Sequence, residues 1–345
     1  MIPRTVARWQ TSDWQSALKN MIRSLDDLCA ALDISPADLD DCYRAEQAFA
    51  VKVPLSYLQR IERGNPRDPL LLQVLPQAAE MVAEPGFCFD PLQEADFNPI
   101  PGLMHKYHGR VLLITTPSCS IHCRYCFRRH FPYNANTPGL KHWHAAMDYI
   151  RADRSIHEAI LSGGDPLSAT DEYLQQLIEA IAAIPHVQTL RLHSRIPVVM
   201  PERITGTLLQ LLSRTRLKVV MVLHVNHANE LAGDAVTAIK LLQQQGIRLY
   251  NQAVLLRGVN ATLADQRALL EALFQLDIQA YYLHLLDKVQ GSHQFLVEKH
   301  EAVALYQQLQ ASLPGYMLPR LVEEIPDKPS KTPVVIASDK AARFC

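Results

Sequence analysis

The sequence predicts an α/β fold: a partial (β/α)6 barrel with a helical N-terminal domain and a C-terminal tail that closes the site. Three observations predict it. From about residue 105, short apolar runs rich in β-branched residues alternate with helical stretches, which means parallel strands joined by crossovers. Three cysteines, Cys119, Cys123 and Cys126, fall within eight residues directly after the first of these runs. Polar clusters end the later runs, and active sites on such barrels lie at the C-terminal ends of the strands.

Residues 1–104 read as the helical domain. Trp14–Leu32 and Ser35–Phe49 carry apolar residues at helical spacing, and Ser35 before Pro36 is a fitting start for the second helix. Pro54, Gly64-Asn-Pro66, Asp68-Pro69, Pro76 and Pro85-Gly86 then break the chain into short pieces. No motif with chemistry stands out there, so the domain reads as one for packing and assembly.

The barrel spans 105–290. Its strand candidates are Val111–Thr116, Ala159–Ser162, Thr189–His193, Leu217–His224, Ile247–Leu255 and Ala280–Leu285. The helices between them are Trp143–Arg151, Asp171–Ile184, Pro201–Ser213, Ala232–Gln245 and Leu263–Leu276. Thr170 is placed to cap one of these, and Pro201 to open another at its first turn. Six such units are too few for a closed eight-fold barrel. Residues 291–345 form the tail, with a helix over Val297–Leu313 and a loop stiffened by Pro326, Pro329 and Pro333.

Composition removes several classes of function. Apolar residues make up 48% and charged residues 20%, a globular balance. A formal net charge of −1 gives no basic footprint for nucleic acid. The longest apolar runs are too short to span a membrane, and the first residues lack the apolar core of a signal peptide. Seven cysteines, three clustered and the rest scattered, do not form a disulfide framework, which points to a reducing cytoplasm.

The C-x3-C-x2-C spacing of Cys119, Cys123 and Cys126 points to an iron–sulfur cluster or a metal. Three protein ligands on a four-iron cube leave one iron open to a small molecule. Structural zinc is the alternative, with His122 or His130 as fourth ligand, although no second pair of ligands is present. Inert packing is the remaining alternative. Ser162-Gly163-Gly164-Asp165 follows the second strand, and its glycines allow close approach of the backbone to a ligand. Asp165 alternatively caps the next turn. His193-Ser-Arg195, His224 through Glu230, Asn251-Gln252, and His284 with Asp287 end the later strands, and together they argue for one shared pocket. Lys331, near Lys328 and Lys340, reads as a solvated lysine by its sequence surroundings.

These residues together resemble a known family. The cysteine motif, with Tyr125 before its last Cys, looks like the signature of the radical S-adenosylmethionine (radical SAM) superfamily. Ser162-Gly-Gly-Asp-Pro-Leu resembles that superfamily's Gly-Gly motif. His105-Lys-Tyr-His-Gly-Arg110, Cys126-Phe-Arg-Arg129, His193-Ser-Arg-Ile-Pro-Val-Val, His224-Val-Asn-His-Ala-Asn-Glu, Asn251 to Asn260 and Ser330-Lys-Thr-Pro333 resemble the lysine 2,3-aminomutases. The likeness runs from about 45 to 335. It is greatest to the short branch that modifies translation elongation factor P, on the grounds of compact length, Tyr281 to Gly291 and the close of the sequence soon after Lys331.

The resemblance implies a radical SAM, pyridoxal 5′-phosphate (PLP)-dependent isomerase. It would convert L-lysine to β-lysine, the R enantiomer, by way of a SAM-derived 5′-deoxyadenosyl radical. Cys119, Cys123 and Cys126 would ligate a [4Fe–4S] cluster, and Ser162, Gly163, Gly164 and Asp165 would hold SAM. Lys331 would carry PLP as a Schiff base, which overturns its bland reading. Tyr107, Arg110, Asn251 and Gln252 would contribute SAM or PLP contacts. Arg128 would pair with the substrate carboxylate, and Asp287 would take the side-chain ammonium. The longer branch places a second aspartate seven residues before the PLP lysine; here that position is Glu324, one methylene longer, with Asp327 as an alternative. Implied partners are elongation factor P with its β-lysine ligase, a reducing electron donor and a second copy in a homodimer. Two rivals follow: another amino-acid 2,3-aminomutase, such as one for glutamate, and a non-catalytic iron–sulfur or zinc protein.

Overall fold

A computed structural model describes residues 14–35, 39, 42–136 and 143–335. The Pro36 start expected for a second helix, together with Lys340 and Cys345, lies outside the described residues. One open sheet organises the chain. Its nine strands run in sequence order: β1 (Leu103–Tyr107), β2 (Arg110–Thr116), β3 (Glu158–Gly163), β4 (Thr189–Ser194), β5 (Lys218–Leu223), β6 (Arg248–Val254), β7 (Gln279–His284), β8 (Arg320–Glu323) and β9 (Thr332–Pro333). Strands β2 to β8 pair in parallel, and β1 and β9 add antiparallel edges.

The six expected strands are β2 to β7, with ends moved by one residue or so. The extra members β1, β8 and β9 were not expected. Helices Trp143–Ala152, Asp171–Ala182, Gly206–Arg214, Asp234–Gln244 and Leu263–Gln275 separate the parallel strands. Thr170 caps Asp171–Ala182 by accepting from Tyr173 N, as expected. Pro201 does not open its helix. It starts a separate 3₁₀ turn, Pro201–Arg203, and Thr205 caps the helix that begins at Gly206. A short helix, Ile196–Val199, precedes that turn.

The N-terminal segment is more broken than its periodicity suggests. The expected Trp14–Leu32 helix is two, Trp14–Lys19 and Leu25–Leu32. Between them Ile22 leaves the helix to bridge Val53, and Ser24 caps the second helix by accepting from Asp27 N. Leu25, Leu28, Val53, Tyr57 and Leu70 belong to the same apolar core as the barrel's Leu161, Leu192 and Leu223. Among the described residues, no helix is long and apolar enough to cross a membrane.

The segment also forms the mould for the cysteine loop. His122 N donates to Lys52 O and Arg124 N to Gln73 O. The fully buried Arg124 donates to both oxygens of Glu80, at 2.8 and 2.6 Å, and to Ala45 O. Arg129 donates to the same carboxylate at 2.8 Å. Removing one member of such a group leaves buried charge uncompensated. Glu80→Ala is therefore expected to cost about 3–5 kcal/mol of stability, seen as a lower midpoint in urea unfolding.

Candidate active site at the barrel mouth

A cavity of about 350 Å³ opens at the C-terminal ends of the parallel strands. Each of those strands supplies part of its wall. Cys119, Cys123 and Cys126 follow β2, Ser162 to Asp165 run across the end of β3, and His193, Ser194 and Arg195 run across the end of β4. His224 follows β5, Gln252 lies near the end of β6, Asp287 follows β7, and Glu324 follows β8. Lys331 enters just before β9, and Tyr107 and Arg110 enter from the β1–β2 hairpin. The site residues expected from the sequence line this cavity, except Asn251 and the alternative Asp327, which is exposed.

Asn251 is buried, and its amide clamps residue 225: Oδ1 accepts from Val225 N at 2.9 Å and Nδ2 donates to Val225 O at 3.0 Å. Successive strand residues face opposite sides, so Gln252 takes the cavity and Asn251 the core.

The loop after β3 is built against the cysteine loop. Gly164 N donates to Thr116 O and Asp165 N to Ser118 O, at 2.7 and 2.8 Å. A Cβ on Gly164 would stand 2.3 Å from Ser118 O, so only glycine fits there. Gly163 has φ of +113°, where other residues are strained. Asp165 does cap the next turn, accepting from Leu167 N, but its carboxylate also accepts from Ser194 Oγ, Arg195 N and Ile196 N, at 2.7 to 3.1 Å. It ties this loop to the one after β4.

Neither histidine of the zinc alternative faces the thiols. His122 stacks on Phe49 with its ring nitrogen at Ala50 O, 2.8 Å away. His130 meets Gln290 O at 3.1 Å and packs edge-on to Phe89. Among the described residues, no three His, Cys, Asp or Glu side chains converge closely enough for a single metal ion. A cube of irons takes each thiolate on a separate iron, so the donor set suits a cluster rather than one zinc. Burial pushes the Cys119 thiol well above its ordinary range, and the neighbouring Cys126, Asp165 and Cys123 add to it. Burial, with Cys123, pushes Cys126 up to about 11. The three cysteines are half-buried, and cationic iron would compensate the charge of their crowded thiolates. Among the described residues, four buried wall atoms have no hydrogen-bond partner: Ser120 Oγ, Arg191 Nε, His193 Nε2 and Arg195 Nε. They suit a cavity made to be filled by polar ligands.

The charged side chains of the wall fall into two clusters. At one, Arg128 grips Glu94 through Nε and Nη2, at 2.8 and 2.7 Å, and its Nη1 reaches Ser162 Oγ at 3.2 Å. At the other, Glu324 accepts from Lys106 Nζ at 3.1 Å, Tyr107 Oη at 2.5 Å and Lys331 Nζ. Burial would raise the Glu324 carboxyl, but the Lys331 ammonium, with Tyr107 and Lys106, holds it down at about 2. Asp287 lies in the same wall, and withdrawal from water pushes it up to about 7 against the pull of Lys331.

Sequence reasoning missed Glu94, Gln73 and Lys106. Glu94 overturns the reading of the N-terminal segment as free of chemistry, because Leu92, Glu94 and Phe97 all line the cavity. Nothing around it in sequence marks it; its role exists only through a contact with Arg128.

No family model matches the chain. Among curated proteins, the L-lysine 2,3-aminomutase of Haemophilus influenzae is 44% identical over 332 residues, 96% of this chain and 98% of the relative. That of Escherichia coli is also 44% identical, over 93% and 94%. That of Clostridium subterminale is 33% identical, over 94% of this chain and 78% of the relative. An open α/β barrel with a three-thiol loop at its mouth is, in class, a radical SAM enzyme. The chain belongs to the L-lysine 2,3-aminomutase family.

The Gly164 geometry is testable. Gly164→Ala should lower iron content per reconstituted chain. Gly206→Ala, whose Cβ would meet nothing within 4 Å, should leave iron content unchanged.

Proposed function

We propose that this protein converts L-lysine to β-lysine, moving the amino group from C2 to C3. The observation that carries the reading is the single cavity lined together by the thiols of Cys119, Cys123 and Cys126, by Lys331, by Arg128 and by Asp287 with Glu324. The relatives' shared name supports it. The three cysteines would hold a [4Fe–4S] cluster. The Ser162-Gly163-Gly164 backbone would cradle SAM, with Asp165 fixing the shape of that cradle. Lys331 would hold PLP, and Arg110, Lys106, Tyr107 and Gln252 lie where they can receive its polar groups, cations suiting a phosphate. When bound, the cluster and SAM supply a hydrogen-abstracting radical, and PLP carries the nitrogen that migrates.

The chain's own residues select and hold the substrate. Arg128 is the cation for its carboxylate, offering Nη1 beside Ser162 while Glu94 fixes the rest of the fork. Asp287 and Glu324 take the side-chain ammonium. Glu324 already holds an ammonium of the same chemistry, that of Lys331, so the extra methylene relative to aspartate does not prevent the contact. Once Lys331 engages PLP, Glu324 Oε2 loses its ammonium and can accept the substrate's, while Lys106 and Tyr107 stay on Oε1. Two carboxylates at this end would repel a glutamate side chain, which disfavours the glutamate rival. The apolar wall made by Leu92, Phe97, Val111 and Ile160 keeps water from the reacting carbons.

The finer calls belong to the same proposal. The product is (R)-β-lysine, which a separate ligase attaches to elongation factor P; the resemblance to the short branch supports this. An external low-potential electron donor, a cytoplasmic location and a homodimer complete it.

An anaerobic assay with reconstituted protein, SAM, PLP, dithionite and L-lysine should give β-lysine by chiral mass spectrometry. SAM cleavage without β-lysine would move the substrate elsewhere. Lys331→Ala should keep SAM cleavage and lose migration; full aminomutase activity in that variant would remove PLP from Lys331. The ammonium must meet an ionised Asp287, whose raised value lies near 7. Because Lys331, which holds Asp287 down, is engaged by PLP in the loaded enzyme, kcat/KM for lysine should rise with pH from about 7 upward. Asp287→Asn should lose that limb and about 2–4 kcal/mol, or roughly 30- to 1,000-fold, of kcat/KM.

A further inference from the structure

We propose that Arg195 is a positioning residue for the iron–sulfur centre. Its guanidinium donates to Cys123 Sγ and, balanced by Glu230, sets the potential at which the cluster accepts an electron. The inference rests on the reading of Cys119, Cys123 and Cys126 as cluster ligands and goes beyond it.

Arg195 Nη1 lies 2.8 Å from Cys123 Sγ. The rest of the side chain is locked. Nη2 donates to Gln73 Oε1 at 2.6 Å and to Glu230 Oε2 at 2.9 Å. The backbone N donates to Asp165 at 2.7 Å, and the guanidinium lies 5.5 Å from the Tyr57 ring centroid and 5.9 Å from that of Tyr125. Arg195 is 5% exposed and Glu230 fully buried, so water does not screen them.

Glu230 is held just as firmly. Its Oε1 accepts from Gln73 Nε2, Asn226 N and His227 N, at 2.9 to 3.2 Å. Gln73 Oε1 also accepts from Asn226 Nδ2 and Tyr125 Oη. A buried network with so many members has one geometry. That geometry directs one N–H edge of the arginine at a ligand sulfur.

The electrostatic consequence has a definite sign. Reduction adds one electron, and so one negative charge, to the cluster; no covalent bond or proton changes. A cation hydrogen-bonded to a ligand sulfur stabilises the reduced form and raises the potential. The nearby Glu230 carboxylate opposes it. Removing the cation should make reduction harder, and neutralising the carboxylate should make it easier.

The test is a dithionite titration of reconstituted wild type, Arg195→Gln, Arg195→Lys and Glu230→Gln, read by electron paramagnetic resonance without SAM. Iron and sulfide are measured on the same samples. At the potential where wild type is half reduced, Arg195→Gln should show about a tenfold lower reduced-to-oxidised ratio, equal to about 59 mV for one electron. Arg195→Lys should lie between the two, and Glu230→Gln should show a higher ratio than wild type. A merely structural network would lower iron content or move both variants the same way. Arg195→Gln with full iron and an unchanged ratio overturns the proposal. If Arg195→Gln fails to fold, an unchanged or lower ratio in Glu230→Gln overturns it. Wild type without iron and sulfide would overturn the cluster reading itself.

Discussion

The Glu80 carboxylate, shared by Arg124 and Arg129, is the contact on which the mouth of this barrel depends. A loop with three cysteines in eight residues has no regular structure to hold it, and crowded thiols in a buried site resist ionisation. Its shape must come from outside. Glu80 gathers two arginines that flank Cys126, while Gln73 and Lys52 accept backbone N–H groups from the same loop. Taking three charges out of water is costly, and good hydrogen-bond geometry is what offsets it. Ala45 O, Phe49 O, Arg124 O and Gly291 O accept further N–H groups of the two guanidiniums, and Arg129 Nε alone has no partner. The N-terminal helices are therefore not an appendage; they are the mould in which the thiols are set.

A second fastening runs through Asp165. One carboxylate collects donors from the turn that follows it and from the loop after β4. The adjoining glycine backbone lies directly on the cysteine loop. The ends of β2, β3 and β4 are thus one rigid surface. Charge is laid out along the cavity from that surface outward. Arginines 128 and 195 lie near the thiols, whereas Asp287 and Glu324 lie on the wall shared with Lys331. An amino acid with a cationic side chain matches this order at both ends.

The sequence made the repeating part of the fold legible and left its margins dark. Strands β2 to β7 announce themselves because strands buried in a parallel sheet are apolar and β-branched. Strand β1 reads Leu-Met-His-Lys-Tyr, β8 has four residues and β9 two, too short or too polar to give a pattern. The N-terminal helix broke at Ile22 for a long-range reason, its bridge to Val53. The cysteines were legible from spacing alone. Lys331 was not; among prolines and other lysines it looked solvated, and only the resemblance singled it out. Glu94, Gln73 and Lys106 left no local trace, because each acts through a partner far away in sequence.

The contact between Lys331 and Glu324 links cofactor and substrate in one physical argument. The Lys331 ammonium donates to Glu324, and Lys106 and Tyr107 complete the shell around the same carboxylate. A free substrate lysine must compete with that internal ammonium, which is held at high effective concentration by the chain. If Lys331 leaves the carboxylate, as its proposed role requires, Glu324 keeps Lys106 Nζ at 3.1 Å but loses its second ammonium. Asp287, raised by burial and lowered by Lys331, becomes harder to ionise at the same moment. An arriving ammonium restores the lost charge. On the proposed assignment the site would favour a cationic side chain most when its own lysine is engaged, so that charge would place cofactor before substrate.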